Sequence, residues 1–139
     1  MEFSEEDLEK WKKACRISAQ ALEYGKNLIK KEDLVVDVCD KVDEKIVKLG
    51  GKPSFPAQIS LNAVAAHYCG DKDDKLILDG VVKLDVGAHI DGFSGDNALT
   101  VDLSGENEEL VAASRAALDA AIRIIKPGIE LHEIGSEIE

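Results

Sequence analysis

Slid 96 positions along itself, this sequence meets itself in phase: Leu22 falls on Leu118, Leu28-Ile29-Lys30 on Ile124-Ile125-Lys126, Val35 on Leu131, Val38 on Ile134 and Val42 on Ile138. Both copies read as an amphipathic helix, a break and a second helix. A repeat of this kind restricts the chain to folds that use one supersecondary unit twice. The alternative stays open here, because two unrelated amphipathic helices also align when slid far enough. On the repeat reading the second copy ends before any strands of its own, and the sequence is expected to be truncated.

The elements follow from spacing. Ser4, with Asp7 three residues on, resembles a capping box, and the helix it opens carries apolar residues at Leu8, Trp11, Cys15, Ala19, Leu22 and Ile29. A second helix is predicted from about Asp33, with Val35, Val38, Val42, Ile46 and Leu49 on one stripe. Gly50-Gly51 closes it, and Pro53 and Pro56 prevent its continuation. Residues 58–68 read as strand or loop. Residues 81–90 and 97–103 are β-rich runs, and Asp91-Gly92 between them is a strong hairpin signal. A third helix runs from about Glu106 to Ile125 with Leu110, Val111, Ala117, Leu118, Ala121 and Ile125 inward. Pro127-Gly128 breaks it, and a fourth begins through Leu131, Ile134 and Ile138.

The hairpin holds the densest chemistry. With Asp91-Gly92 as a two-residue turn, Gly87 sits opposite Asp96, and Asp85 is its diagonal neighbour on the same face. Leu84, Val86 and Ala88 then project the other way. Two carboxylates that close repel unless a proton or cation lies between them. Carboxylates on rigid strands are a sound means of holding two divalent ions, and a side chain at position 87 would crowd that space. The plain alternative is the polar outer face of an exposed strand in a very acidic protein. His89 shares the face of Asp85, either as a ligand or ligand partner or, as expected, in a structural role. His67 ends the apolar run 61–68 and admits both a structural and a catalytic reading. Phe55, between Ser54 and Pro56, is either a pocket wall or core. His132 opens the last helix and has no special reading.

Composition narrows the function classes. At 139 residues the chain is one domain at most. A net charge of -11, from 28 acidic against 17 basic residues, disfavours nucleic acid and anionic membrane as partners and mildly favours cations. Residues 1–13 are acidic and amphipathic, unlike a signal peptide, and no apolar run approaches a membrane span. Cys15, Cys39 and Cys69 have no metal-ligand spacing and read as reduced thiols of a cytoplasmic protein.

Three motifs in order carry a resemblance: Gly50-Gly51-Lys52-Pro53-Ser54-Phe55-Pro56, then Ser60-Leu61-Asn62, then Ala65-Ala66-His67-Tyr68. Together they resemble the signature of type II methionine aminopeptidases, in the archaeal-like form without an N-terminal extension. Residues 83–101 resemble that family's first metal-binding hairpin, and the similarity runs from about residue 10 to the end. It implies an α/β (α+β) pita-bread fold with two pseudo-symmetric halves, residues 1–139 being the N-terminal portion of a single domain. By the same resemblance Asp85 and Asp96 match two aspartate metal ligands, and Asp91 matches none. His67 matches the active-site histidine that contacts substrate and stabilises the reacting carbonyl. Phe55 matches an aromatic wall of the methionine side-chain pocket. Cys69-Gly70 departs from the common Thr-Pro, and Ser94-Gly95-Asp96-Asn97 from the common Ile-Ala-Asp-Thr. The family's histidine ligand, two glutamate ligands and second active-site histidine have no counterpart among these residues.

The activity implied is metal-dependent removal of the N-terminal methionine from nascent proteins, in the cytoplasm and by a monomer. Two divalent ions (cobalt, manganese, iron or zinc) activate a water that attacks the first peptide bond. Two rivals share the fold: an Xaa-Pro-specific peptidase, which the Ala65-Ala66-His67-Tyr68 context opposes, and a non-enzymatic pita-bread binding protein, which the presence of both aspartates opposes. The 139-residue chain alone is expected to be inactive.

Overall fold

Asp7 donates its backbone N–H to the Ser4 hydroxyl at 3.1 Å while its carboxylate accepts the Ser4 N–H at 3.0 Å. The capping box is therefore formed, and α1 (Glu5–Leu28) starts where the sequence places it. The computed structural model describes residues 3–139; Met1 and Glu2, the first of the acidic segment weighed against a signal peptide, lie outside the described residues. Two compact units divide the chain, residues 1–104 and residues 105–139.

The buried face of α1 departs from the stripe that apolar spacing predicts, which holds only toward its end, where Leu22 packs against the core and Ile29 is buried. Leu8 and Trp11 stay exposed, as do Cys15 and Ala19, whereas Ala14, Ile17, Ser18, Ala21 and Gly25 are buried. Small side chains explain the shift. A Cβ built on Gly25 would lie 2.6 Å from Leu84 and 2.7 Å from Val42, so the helix approaches the sheet and α2 more closely than bulky residues permit. Trp11 instead donates its indole N–H to the Ser94 carbonyl at 2.7 Å.

α2 (Val35–Lys48) behaves as its stripe predicts, with Val35, Val38, Val42 and Ile46 buried. The Gly51 N–H bonds the Ile46 carbonyl at 3.1 Å and the Gly50 N–H the Val47 carbonyl at 2.9 Å, with Gly50 at φ 84. This is a Schellman ending, and it requires a residue at ease in the left-handed region.

The chain then builds a four-stranded antiparallel sheet. β3 (Val81–Ile90) is central, paired on one edge with β1 (Lys52–Pro53) and β2 (Gln58–Leu61) and on the other with β4 (Phe93–Asp102). Only the first four residues of the ambiguous run 58–68 are strand, and β4 begins at Phe93, four residues earlier than its β-rich run. Val82, Leu84, Val86 and Ala88 are fully buried, and pack with Ile59, Leu78, Val35, Val42 and Ile46 into the core beneath α1 and α2. Lys83, Asp85, Gly87 and His89 alternate onto the opposite face.

In residues 105–139, α3 (Glu108–Ile124) packs on α4 (Leu131–Ile138). The expected inward stripe of α3 is corrected: Leu110, Leu118 and Ile125 are exposed, Val111 and Ala117 half-buried, and Ala121 buried. Two helices alone cannot enclose a full apolar stripe. The 96-residue phase holds at the boundaries, because α1 and α3 end at Leu28 and Ile124 and α2 and α4 start at Val35 and Leu131. The cap residues match in conformation too: Ile29 (φ -67, ψ 111) with Ile125 (φ -61, ψ 121), and Leu34 (φ -73, ψ 135) with Glu130 (φ -81, ψ 140). Among the described residues no helix is long and apolar enough to cross a membrane.

Candidate metal centre

Ile90 pairs with Phe93, so Asp91-Gly92 is a two-residue turn, and both residues have positive φ (50 and 90) as a type I′ turn requires. That turn sets the register: Gly87 lies opposite Asp96 and Asp85 opposite Ala98. Asp85 and Asp96 therefore share the face turned away from α1 and α2, as diagonal neighbours. Asp85 is half-buried and Asp96 exposed, and the two carboxyl groups are close enough to share a hydrogen bond. Burial first, then the charge of Asp96 and that hydrogen bond, push the Asp85 carboxyl above its ordinary value, while nearby His67 pulls it back.

The pair suits a divalent cation. Its donors are hard oxygens, and the repulsion that a bridging cation would relieve is present in the geometry. Among the described residues no group of three or more His, Cys, Asp or Glu converges as a metal cluster.

Phe55 and Gly87 complete one wall. A Cβ on Gly87 would lie 2.4 Å from the Phe55 ring, so the ring rests over the strand where Gly87 leaves room, beside the carboxylate pair. The segment before it is tied down: the Ser54 N–H bonds the Gly87 carbonyl at 3.0 Å, and the Ser54 and Ser94 hydroxyls meet at 2.6 Å. His67 is exposed, sits within electrostatic reach of Asp85, and has a left-handed backbone with φ 68. The structure thus gathers Phe55, His67, Asp85 and Asp96 around one face of the hairpin.

Other candidates separate from it. His89 accepts the Gly92 N–H on Nδ1 at 3.2 Å, which makes it a turn residue. His132 pairs with Glu130 at 3.1 Å in residues 105–139. Asp91 stands at the turn, 3.5 Å from Lys10. All three cysteines are free, and burial pushes the Cys39 thiol up to about 12. One residue at the site escapes sequence reasoning. Gln58 faces Asp85 across β2 and β3, and its Oε1 is buried with no hydrogen-bond partner. A lone polar residue in an ambiguous run carries no sequence signal; only strand pairing reveals it.

The geometry has counterparts. The profile of Metallopeptidase family M24 matches residues 9–139. A methionine aminopeptidase of Archaeoglobus fulgidus is 44% identical over 99% of this chain and 47% of its own length. The crystal structure of methionine aminopeptidase from Thermotoga maritima superposes with a TM-score of 0.87 at 32% identity, over 97% of this chain and 59% of that one. An X-Pro aminopeptidase from the same organism superposes at 0.78 with 20% identity, over 98% of this chain and 40% of that one, a likeness of fold alone. The pita-bread architecture expected from the sequence is therefore borne out for a partial domain. The chain spans about half the length of the curated relatives it matches.

Proposed function

The chain belongs to metallopeptidase family M24, and from that premise we propose that the whole protein removes the N-terminal methionine from nascent proteins. Residues 1–139 are, on this reading, the N-terminal portion of one pita-bread domain. The methionine aminopeptidase of Archaeoglobus fulgidus aligns with nearly the whole chain at 44% identity, which favours methionine over an Xaa-Pro substrate. The observation that carries the reading is the carboxylate pair Asp85 and Asp96 on an open strand face, flanked by the Phe55 ring and by His67.

Each residue has a defined task. Asp85 and Asp96 hold divalent cations, with two as the expected number and cobalt, manganese, iron or zinc as candidates. Such ions supply Lewis-acid polarisation of a carbonyl and lower the pKa of a coordinated water. The Phe55 ring covers an apolar side chain such as methionine's and helps exclude water from the scissile bond. His67, projecting from an exposed loop beside the pair, directs a ring N–H toward the carbonyl oxygen as negative charge develops there. Gly87 keeps the floor low enough for substrate and ring together. The remaining expectations, a cytoplasmic monomer acting on peptide N-termini, belong to the same proposal.

A panel of Met-Ala-Ser and Xaa-Pro peptides, with and without chelator, tests it on the whole protein. Chelator-sensitive release of methionine is expected. Cleavage of Xaa-Pro peptides alone would replace methionine with proline specificity, and no cleavage of either would favour a binding role.

A further inference from the structure

The motif Ser60-Leu61-Asn62 supplies no ligand and no substrate contact in the reading above, yet its nearer end, Asn62, stands five residues before His67. Its placement says what it does. Asn62 closes the base of the loop that carries His67: its N–H bonds the Val81 carbonyl at 2.8 Å, and its side-chain oxygen accepts the Val81 N–H at 2.9 Å. Lys83 adds a bond from Nζ to the Asn62 carbonyl at 2.6 Å. Inside that closed loop the backbone of His67 adopts φ 68, a conformation that a non-glycine residue keeps only when its surroundings hold it there.

The holding groups lie on the next residue. The Tyr68 N–H donates to the hydroxyl of Ser60, which is 2% exposed on β2. The Tyr68 ring packs against the main core, and its hydroxyl donates to the Asp74 carboxylate at 2.5 Å. Asp74 is fixed in turn by the Leu76 N–H at 2.8 Å. Tyr68 is therefore pinned at its backbone, its ring and its hydroxyl, while the imidazole one residue earlier is exposed.

We propose that Ser60, Tyr68 and Asp74 are positioning residues that hold His67 in its left-handed conformation and so aim the imidazole at the substrate. This rests on the reading of His67 as a substrate-contacting group. Loss of either hydrogen bond lets the His67 backbone relax toward commoner dihedrals, and displacements of about 1 Å at a catalytic group cost up to about 100-fold in rate.

Three variants of the whole protein decide it: His67→Ala, Tyr68→Phe and Ser60→Ala. The last two keep side-chain volume nearly unchanged, so folding should survive. Each should lower kcat for Met-Ala-Ser by on the order of tenfold with KM within about twofold. Each should also change the HN–Hα coupling of His67, which reports its φ directly. His67→Ala should lose at least as much activity, and adding Tyr68→Phe to it should cost nothing further. If both conservative variants keep wild-type kcat and coupling while His67→Ala is impaired, the positioning role of Ser60, Tyr68 and Asp74 is overturned. If His67→Ala itself turns over normally, the role given to His67 is wrong and the positioning role ends with it.

Discussion

Asn97 donates its side-chain N–H to the Ser18 hydroxyl at 2.9 Å, and Ser18 in turn donates to the Val86 carbonyl at 2.7 Å. These two residues, 79 apart in the chain, stitch α1 to both strands of the hairpin. Because Asn97 points to the helix side, its neighbour Asp96 must point to the other face, where Asp85 is. Ser18→Ala removes the link and leaves the half-buried Asn97 amide without its partner. Unfolding by urea should show a loss of about 1–3 kcal/mol with little change in slope. An unchanged midpoint would mean that the helix is held by packing alone.

Two glycines on neighbouring strands should respond differently to one added methyl. At Gly95 a Cβ would lie 2.5–2.6 Å from the backbone of Cys15, which cannot move without displacing α1. Gly95→Ala is expected to cost about 1–3 kcal/mol by overpacking, and urea titration reads it. At Gly87 the obstacle is the Phe55 ring, a side chain that can rotate aside. Gly87→Ala should leave stability nearly intact and raise KM for methionyl peptides in the whole protein. Equal stability losses from both would contradict the assignment of that ring to the substrate pocket.

The carboxylate pair makes its own prediction. In the whole protein, Asp85→Asn and Asp96→Asn should each lower Met-Ala-Ser turnover by at least about 100-fold and reduce bound metal. Stability without metal should hold or rise, since each change removes one of two repelling charges. Asp91→Asn is the control. It lies in the same hairpin but at the turn, with φ 50, a conformation that asparagine accepts readily. Comparable losses from all three would point to the charge of the hairpin rather than to a specific pair.

Asp43 gives a pH dependence. Burial, and to a lesser degree Asp40, raise its carboxyl above the ordinary value, although it accepts the Ala57 N–H at 3.1 Å. An acid whose folded pKa exceeds its unfolded one stabilises the fold while protonated, and that stability is lost as pH rises from the unfolded value through the folded one. Asp43→Asn keeps an oxygen for Ala57 without a buried charge. Its urea midpoint should fall less than that of wild type as pH rises above the ordinary carboxylate value. A steeper fall in the variant would reverse the assigned sign.

What the sequence shows depends on how local the cause is. The register of Asp85 against Asp96 follows from a two-residue turn and strict alternation, and Gly50-Gly51 ends α2 by backbone conformation alone; both are legible in the sequence. The buried face of α1 is not, because Ser18 and Gly25 look like surface residues until close approach to the sheet makes small size the criterion. Trp11 misleads in the opposite sense, an apolar residue kept outside by a hydrogen bond to Ser94. The seat of Phe55 over Gly87 and the orphaned oxygen of Gln58 depend on strand pairing across loops, which no local pattern encodes. Phe55 and His67 stand out in the sequence with two readings each, and only resemblance chooses between them; the left-handed backbone at His67 appears only in three dimensions.

The tight turn at Asp91-Gly92 also orders events in time. Asp85 and Asp96 are eleven residues apart in the chain, whereas the bond that docks α1 spans 79. Hairpins close on the order of 1–10 µs, and contacts across long loops come later. The repulsion between the two carboxylates is therefore expected as soon as the hairpin closes, before the 79-residue link docks α1 on the far face. On the metal reading, a divalent cation should act as a nucleation aid, raising the refolding rate in stopped-flow experiments rather than only slowing unfolding. Asp85→Asn should refold quickly without it.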